Sequence, residues 1–137
     1  MGKNKLTIDF KGFDEYMEKL ERLGSDTKAL TEKALKASFE KVTPGIGSAI
    51  DNHKRTGTTK KSLVTDSQVK WQGTVGRVEV GFDIPNGGLA SIFLMYGTPR
   101  MEPDMNLYNS IYGSKVKKQV RKVQKEIFDE ELRRVMQ

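Results

Sequence analysis

The chain has 137 residues, which is the size of one domain with a hydrophobic core, and we expect a single domain over residues 1–137. Its 24 basic and 18 acidic residues give a formal charge of +6, which favours anionic neighbours without establishing that they bind. The lack of cysteine excludes disulfides, thiolate nucleophiles and cysteine metal sites. The sequence contains neither the apolar core of a signal peptide nor an apolar run of membrane-spanning length, so we expect neither feature.

The N-terminal third predicts a short strand followed by two helices. Leu6–Phe10 alternates apolar and polar residues, which is typical of a strand with one buried face. A short amphipathic helix ending at Gly24 is indicated by apolar residues at helical spacing, namely Phe13, Met17, Leu20 and Leu23. Ser25 and Asp26 are residue types that cap the start of the next helix.

A longer helical pattern follows from Thr27. Its apolar positions keep near-helical spacing and are Leu35, Phe39, Val42, Ile46 and Ile50. Pro44 lies inside this pattern beside Gly45, and proline lacks the amide donor that a helix interior requires. We therefore predict a kink or a break of the helix near Pro44.

The segment HKRTGTTKKSL predicts a basic loop, because threonines, a glycine and cations replace the periodic apolar pattern. The residues of interest in this loop are Lys54, Arg55, Thr56, Gly57, Lys60 and Lys61. Their cations are suited to phosphate contacts. His53, the single histidine, lies among polar residues and is expected at the surface.

Two strand-like segments come next and are expected to pair as a hairpin. They are SLVTDSQVKW and TVGRVEVGF, with Gln72 and Gly73 between them. DIPNGG, residues 83–88, is a dense turn signal that leads into a short apolar run.

The segment LASIFLMYGTPRMEPDMN combines this apolar run with a loop that contains two prolines. We expect the run to be buried against the sheet and helices, while Gly97 permits a sharp turn and the prolines stiffen the loop. Arg100, Met101 and Glu102 are then presented outward, as a subunit-docking loop requires. The residues predicted for docking are Tyr96, Gly97, Thr98, Pro99, Arg100, Met101, Pro103 and Met105. An ordinary loop with buried prolines is the open alternative.

The chain becomes helical again from Met105. A spaced apolar seam, formed by Val116, Val120, Val123 and Ile127, runs through a segment crowded with cations. Taken together, the elements predict an α+β domain in which a small antiparallel sheet packs with N-terminal helices and a long C-terminal helix.

The sequence offers little for catalysis. It has one histidine and no phosphate-loop, dinucleotide-binding or zinc-helix motif. Glu102 and Asp104 are two acids without a third ligand, which is too few for a metal site. We therefore expect no enzymatic activity, no catalytic residue, no cofactor and no metal.

The order of the motifs resembles the tailed-bacteriophage tail-component family, which supplies neck and tail-completion proteins at the head-to-tail joint. Arg55-Thr56-Gly57 followed by Lys60-Lys61-Ser62 resembles the family's Thr-Gly motif with its basic residues and serine. The segment from Leu89 to Ile111 resembles the family's small-residue and aromatic run, its Gly-Thr and its proline-marked loop. Met95, in place of a glutamate, and Asp104-Met105, in place of a Pro-Phe pair, depart from that pattern.

The resemblance implies a structural virion protein, assembled in the bacterial host cytoplasm, that joins or completes the tail through subunit contacts. Its implied partners are other head-tail connector or tail proteins and further copies of the chain in an oligomeric ring. Proximity to DNA without sequence specificity stays open. The alternative function is a small basic protein that binds nucleic acid non-specifically.

Overall fold

The computed structural model describes residues 4–9, 13–53, 58–73 and 75–136 of the chain. The fold class is α+β, as the sequence predicts. The strands are β1 (Asn4–Ile8), β2 (Lys70–Gln72) and β3 (Val75–Phe82). The α-helices are α1 (Asp14–Arg22), α2 (Thr27–Ile50), α3 (Thr58–Lys61), α4 (Leu89–Tyr96), α5 (Met105–Tyr112) and α6 (Ser114–Met136), and a 3-10 turn covers Ile84–Asn86.

The sheet is antiparallel, with β3 in the middle and β1 and β2 at its edges. The predicted hairpin is confirmed, because Gln72 pairs with Val75. Across the other edge Ile8 pairs with Val78. The first strand, predicted at Leu6–Phe10, lies two residues earlier in the chain, at Asn4–Ile8, and Phe10 is outside the described residues.

The segment SLVTDSQVKW is mostly not a strand. Only Lys70–Gln72 belongs to β2, and Leu63 makes an isolated bridge to Phe82. The Val64 amide also donates to the Gly81 carbonyl at 2.8 Å. The segment therefore touches the end of β3 and then leaves the sheet, which corrects the longer strand expected from its composition.

The first two helices follow the sequence signals closely. Gly24, two positions after the last residue of α1, has a φ of 85°, a conformation that favours glycine. Asp26 caps α2, since its side chain accepts a hydrogen bond from the Ala29 amide at 3.1 Å.

The predicted break at Pro44 is wrong, because α2 continues through it from Thr27 to Ile50. Pro44 is exposed, whereas Val42 before it and Ile46 after it are buried. An interior proline destabilises a helix by about 3 kcal/mol. Burying aliphatic side chains on both sides contributes roughly 1.5–3 kcal/mol each, which is enough to keep the helix continuous.

Two hydrophobic clusters share the long helices. The main cluster packs the sheet against α2, α5 and the first half of α6, which contributes Val120. The second contains Phe13, Leu20, Leu30 and Phe128 and joins α1 to the second half of α6. Gly113 separates α5 from α6, so the helical C-terminus begins at Met105 as predicted but is divided in two. Over the described ranges, no helix combines the length and apolar character needed to cross a membrane.

Candidate functional site

Helix α4 is formed by the apolar run but is only partly buried. Ser91 and Met95 are buried, whereas Leu89, Phe93 and Tyr96 are 40%, 48% and 58% exposed. The expectation that the whole run is buried is therefore wrong. A short helix presents one face to the core, so an unbroken apolar sequence leaves its opposite face in solvent.

The proline loop after α4 is built around a tight turn. The Thr98 amide donates to the Met101 carbonyl at 2.8 Å, and the Met101 amide donates back to the Thr98 carbonyl at 3.1 Å. Pro99 occupies the second position of this turn, where its fixed φ is favourable. The Arg100 amide also donates to the Thr98 hydroxyl at 3.2 Å. Four consecutive residues are thus ordered by local bonds.

Gly97 is the residue that lets the chain turn out of α4. Its φ of 78° and ψ of 175° lie in a region that is essentially restricted to glycine. A Cβ there would lie 2.8 Å from the Met101 carbonyl oxygen and 2.9 Å from Pro103 Cδ. The close return of the loop onto itself therefore requires glycine at this position.

Asp104 fixes the far end of the loop. Its amide donates to the Leu94 carbonyl at 2.7 Å, and its Oδ1 caps α5 by accepting from the Leu107 amide at 3.1 Å. Its Oδ2 lies 2.7 Å from His53 Nε2. The hydrogen bond with His53, followed by the α5 amides and the His53 charge, outweighs partial burial and lowers the pKa of Asp104.

His53 is consequently not a free surface residue. Its side chain is 30% exposed, and its Nε2 contacts the Asp104 carboxylate. This contact joins the end of α2 to the proline loop. Nothing in the local sequence of either residue indicates this pair. A lone histidine among polar residues indicates a position near the surface, but this pattern does not identify the partner of the histidine.

The loop residues expected to point outward do so. Pro99, Arg100, Met101, Glu102 and Pro103 are all exposed. The two prolines of the loop are therefore not buried, and its docking role stays a prediction. Of the predicted docking residues, Gly97 is half-buried and supplies the backbone conformation with which the chain leaves α4. Thr98 is exposed and closes the turn through its backbone hydrogen bonds with Met101.

Five large apolar side chains are exposed on α4, on the loop and at the start of α5. We define the docking patch as Leu89, Phe93, Tyr96, Met101 and Met105, whose exposed fractions lie between 39% and 58%. The sequence predicts Tyr96, Met101 and Met105, but Leu89 and Phe93 were missed because they were expected in the core. Exposed apolar groups concentrated in one stretch of chain are typical of interaction surfaces.

A buried cluster of polar side chains anchors the core-facing side of α4. Asn4 Nδ2 donates to Ser91 Oγ at 2.6 Å, and the Tyr112 hydroxyl donates to Asn4 Oδ1 at 3.0 Å. Ser91 Oγ donates in turn to the Gly88 carbonyl at 2.6 Å. Three segments far apart in sequence are joined by these bonds, so the helix that carries the docking patch is fixed to β1 and α5.

The predicted basic loop is only partly described. Lys54, Arg55, Thr56 and Gly57 lie outside the described residues, whereas Lys60 and Lys61 belong to helix α3. Thr59 and Ser62 are buried, and Lys60 Nζ pairs with Asp51. The loop prediction is therefore wrong for residues 58–61, because the buried Thr59 and Ser62 attach this segment to the fold.

Comparison of the chain with protein-family profiles, curated proteins and solved structures found no match. Among the residues that the structure describes, no three histidine, aspartate or glutamate side chains are grouped so as to hold a metal ion. Glu102 is exposed, and Asp104 is engaged by His53 and α5. The features that stand out are thus the docking patch and the braced loop within it.

Proposed function

We propose that this chain is a structural virion protein of a tailed phage or prophage that acts at the neck or in tail completion through subunit contacts. The observation that carries the proposal is the docking patch, which presents five exposed apolar side chains on a loop ordered at both ends. A protein that works by chemistry needs a cleft with reactive groups, whereas a joining protein needs a preformed surface.

A docking role is favoured by a loop whose conformation is fixed before the partner binds. The turn of the proline loop is closed by two backbone bonds between Thr98 and Met101, and Asp104 attaches its end to α4 and His53. Ordering a flexible side chain at an interface costs roughly 0.5–1.5 kcal/mol, and a loop that is already ordered reduces this kind of cost. Methionine side chains at positions 101 and 105 adapt to the shape of a partner. The loop is therefore suited to capture by a neighbouring subunit.

The sequence motifs supply the virion context for this proposal. The Thr-Gly motif at Thr56-Gly57, the Gly-Thr at Gly97-Thr98 and the proline-marked loop follow the order of the tail-component family. The Gly-Thr motif coincides with the turn that orients the docking patch. The resemblance and the patch thus point to the same stretch of the chain.

The test replaces Met101 and Met105 by aspartate in a phage or prophage that encodes this chain. Both side chains are exposed, and an acid at the first turn of α5 is favourable for the helix, so the double variant is expected to fold. Burying the new charges in a contact is unfavourable. We expect separate heads and tails by electron microscopy, with thermal unfolding within a few degrees of the wild type.

The matched control places aspartate at Leu23 and Met136, which are 43% and 62% exposed and lie outside the docking patch. Particles of this control are expected to be joined normally. Normal joining by a folded Met101→Asp/Met105→Asp variant would overturn the docking role. Failure of both variants would show that joining responds to added charge anywhere, which also overturns it.

A further inference from the structure

The first half of α6 has an unusual charge distribution. The segment Ser114–Lys125 contains no acidic residue, and its six cations are Lys115, Lys117, Lys118, Arg121, Lys122 and Lys125. All six are exposed. The second half of the same helix carries the acids, Glu126, Asp129, Glu130 and Glu131. Positive charge is therefore concentrated at one end of α6.

Four of these cations form a stripe along one face of the helix. Lys115, Lys118, Lys122 and Lys125 follow one another at steps of three and four residues, so they lie on the same side. The buried face carries Val120, Gln124 and Phe128. At a rise of about 1.5 Å per residue the lysine stripe is about 15 Å long. Lys125 Nζ also lies 3.2 Å from Asp129 Oδ2, so an acid neighbours the stripe at its C-terminal end.

This placement is unfavourable for the helix itself. The N-terminal end of a helix carries a partial positive charge, and its first turns favour acids. The first turn of α6 has no acid and contains Lys115 and Lys117. A solvated face selected only for solubility would mix both signs, as the second half of α6 does with Arg134 beside Glu131. The cations at the start of α6 are therefore unfavourable for the helix itself, which makes them candidates for a functional contact.

A cleft with a mixed polar and apolar lining continues the stripe at its N-terminal end. It has a volume of about 540 Å³ and lies between α2, α5 and the start of α6. Its polar lining comes from Ser48, Asn106, Asn109, Ser114, Lys115 and Gln119. None of the described residues that line it is acidic. Hydroxyl, amide and ammonium groups are the side chains that proteins use to hold phosphate oxygens and sugars.

We propose that the lysine stripe and this cleft bind the phosphate backbone of duplex DNA without reading its sequence. Lys115 belongs to both features, so a phosphodiester chain can pass from the cleft onto the stripe. The stripe has the length of about four successive phosphates of one strand, because each strand of duplex DNA carries one charge per about 3.4 Å of helix axis. The surface shares no residue with the docking patch, and the inference does not rest on the proposed function.

The observations favour duplex DNA over other polyanions. The apolar side of α6 is packed in both hydrophobic clusters, so it is not available for insertion into a lipid surface. No aromatic residue lies in Ser114–Lys125, whereas single-strand binding sites interleave aromatic side chains with cations. The exposed face of α6 carries regularly spaced lysines, which suit the regularly spaced phosphates of a DNA duplex.

The test measures binding of a random-sequence duplex of about 25 base pairs by fluorescence anisotropy at several salt concentrations. The stripe variant carries Lys115→Gln, Lys118→Gln, Lys122→Gln and Lys125→Gln. The matched control removes the same charge elsewhere, through Lys19→Gln, Lys33→Gln, Lys36→Gln and Lys41→Gln, all exposed residues on α1 and α2. We expect the stripe variant to bind at least about tenfold more weakly than the control, with a shallower dependence on salt, since each phosphate contact contributes about −0.9 to the slope.

The cleft is tested by Asn109→Asp, which places a carboxylate at its lining with almost no change in shape. Asn52→Asp, an exposed substitution outside the cleft, is the matched control. We expect Asn109→Asp alone to weaken binding. Equal losses in the stripe variant and its control, unchanged binding by Asn109→Asp, or tighter binding to phosphatidylserine vesicles than to duplex at the same salt would each overturn the proposal. Thermal unfolding of every variant establishes that it is folded.

Discussion

Asp104 Oδ2 and His53 Nε2 lie 2.7 Å apart, although the two residues are separated by 51 positions in the chain. Both side chains are partly buried, at 24% and 30% exposure. Because Asp104 also caps α5, this one carboxylate joins the end of α2, the proline loop and α5. The attachment of the proline loop to the end of α2 and to α5 therefore involves a pair of titratable groups.

The first prediction concerns pH. The hydrogen bond with His53 lowers the pKa of Asp104 below 3.8, so its ionised form stabilises the folded state. That contribution is present above the unfolded-state pKa and is lost as pH falls through the lower folded-state pKa. We expect Asp104→Asn to reduce the free energy of unfolding at pH 6 and to make the acid decline of stability shallower. Urea unfolding between pH 2.5 and 6 measures this.

Asp26→Asn is the control for this series, because Asp26 caps α2 through the Ala29 amide and is exposed. Asparagine also caps helices well, so this variant should follow the wild-type pH profile. An Asp104→Asn profile parallel to the wild type would show that the pair with His53 does not contribute to stability.

The second prediction contrasts two glycines. Gly97→Ala is expected to destabilise the fold by roughly 1–3 kcal/mol, because alanine disfavours its φ of 78° and the Cβ would meet the Met101 carbonyl oxygen. Gly45→Ala, in the interior of α2 with open space around the Cβ, is expected to stabilise it by about 0.5–1 kcal/mol. Thermal unfolding should give shifts of opposite sign. Shifts of the same sign would contradict the described loop.

The third prediction concerns Tyr112, whose hydroxyl donates to the buried Asn4. Tyr112→Phe removes this bond and is expected to lower the free energy of unfolding by about 1 kcal/mol. Burial, and then the neighbouring Tyr96 and Tyr108, raise the pKa of Tyr112 above 10.0. Since the folded-state pKa is the higher one, this contribution is present below pH 10 and is lost as pH rises.

Absorbance titration of tyrosine ionisation checks the same residue independently. The wild type should show one late-ionising tyrosine, which Tyr112→Phe removes. Tyr16→Phe, in the second hydrophobic cluster, should leave that late step in place. A titration that loses the late step in the Tyr16 variant instead would contradict the assignment to Tyr112.

The fourth prediction concerns Pro44. Pro44→Ala restores an amide donor inside a continuous helix, and the proline is exposed, so little packing is lost. We expect the free energy of unfolding to rise by about 1–2 kcal/mol, less than the intrinsic difference because the unfolded chain also gains freedom. Ser48→Ala, another exposed position of α2, should change it by only a few tenths. A destabilised Pro44→Ala protein would show that the proline has a structural role in α2.

The sequence predicts the fold class because its signals are local. Alternation in β3, the turn residue Gly73 and the capping residue Asp26 each act within a few positions, and the structure confirms each of them. The prediction at Pro44 fails because residues remote in sequence bury its neighbours. Local propensity is outweighed there by tertiary packing.

The candidate site was predicted only in part, because local residue types encode some of its features and distant contacts determine the others. The turn at Gly97 and the outward direction of Met101 follow from residue types, and both are found. The exposure of Phe93 was missed, because periodicity does not distinguish an apolar helix face in the core from one at a partner's surface. The bond between Asp104 and His53 joins two distant loops, so no local pattern encodes it.

The register of the sheet has a consequence for how the chain folds. The hairpin of β2 and β3 closes over a few residues, whereas Ile8 of β1 pairs with Val78, about 70 residues later in the chain. A short loop closes far faster than a long one, so the hairpin is expected to form early and β1 to add at the end. During synthesis β1 leaves the ribosome well before β3, the strand with which it pairs. We expect its apolar residues to stay unpaired during that interval, and unpaired apolar strands are prone to aggregation.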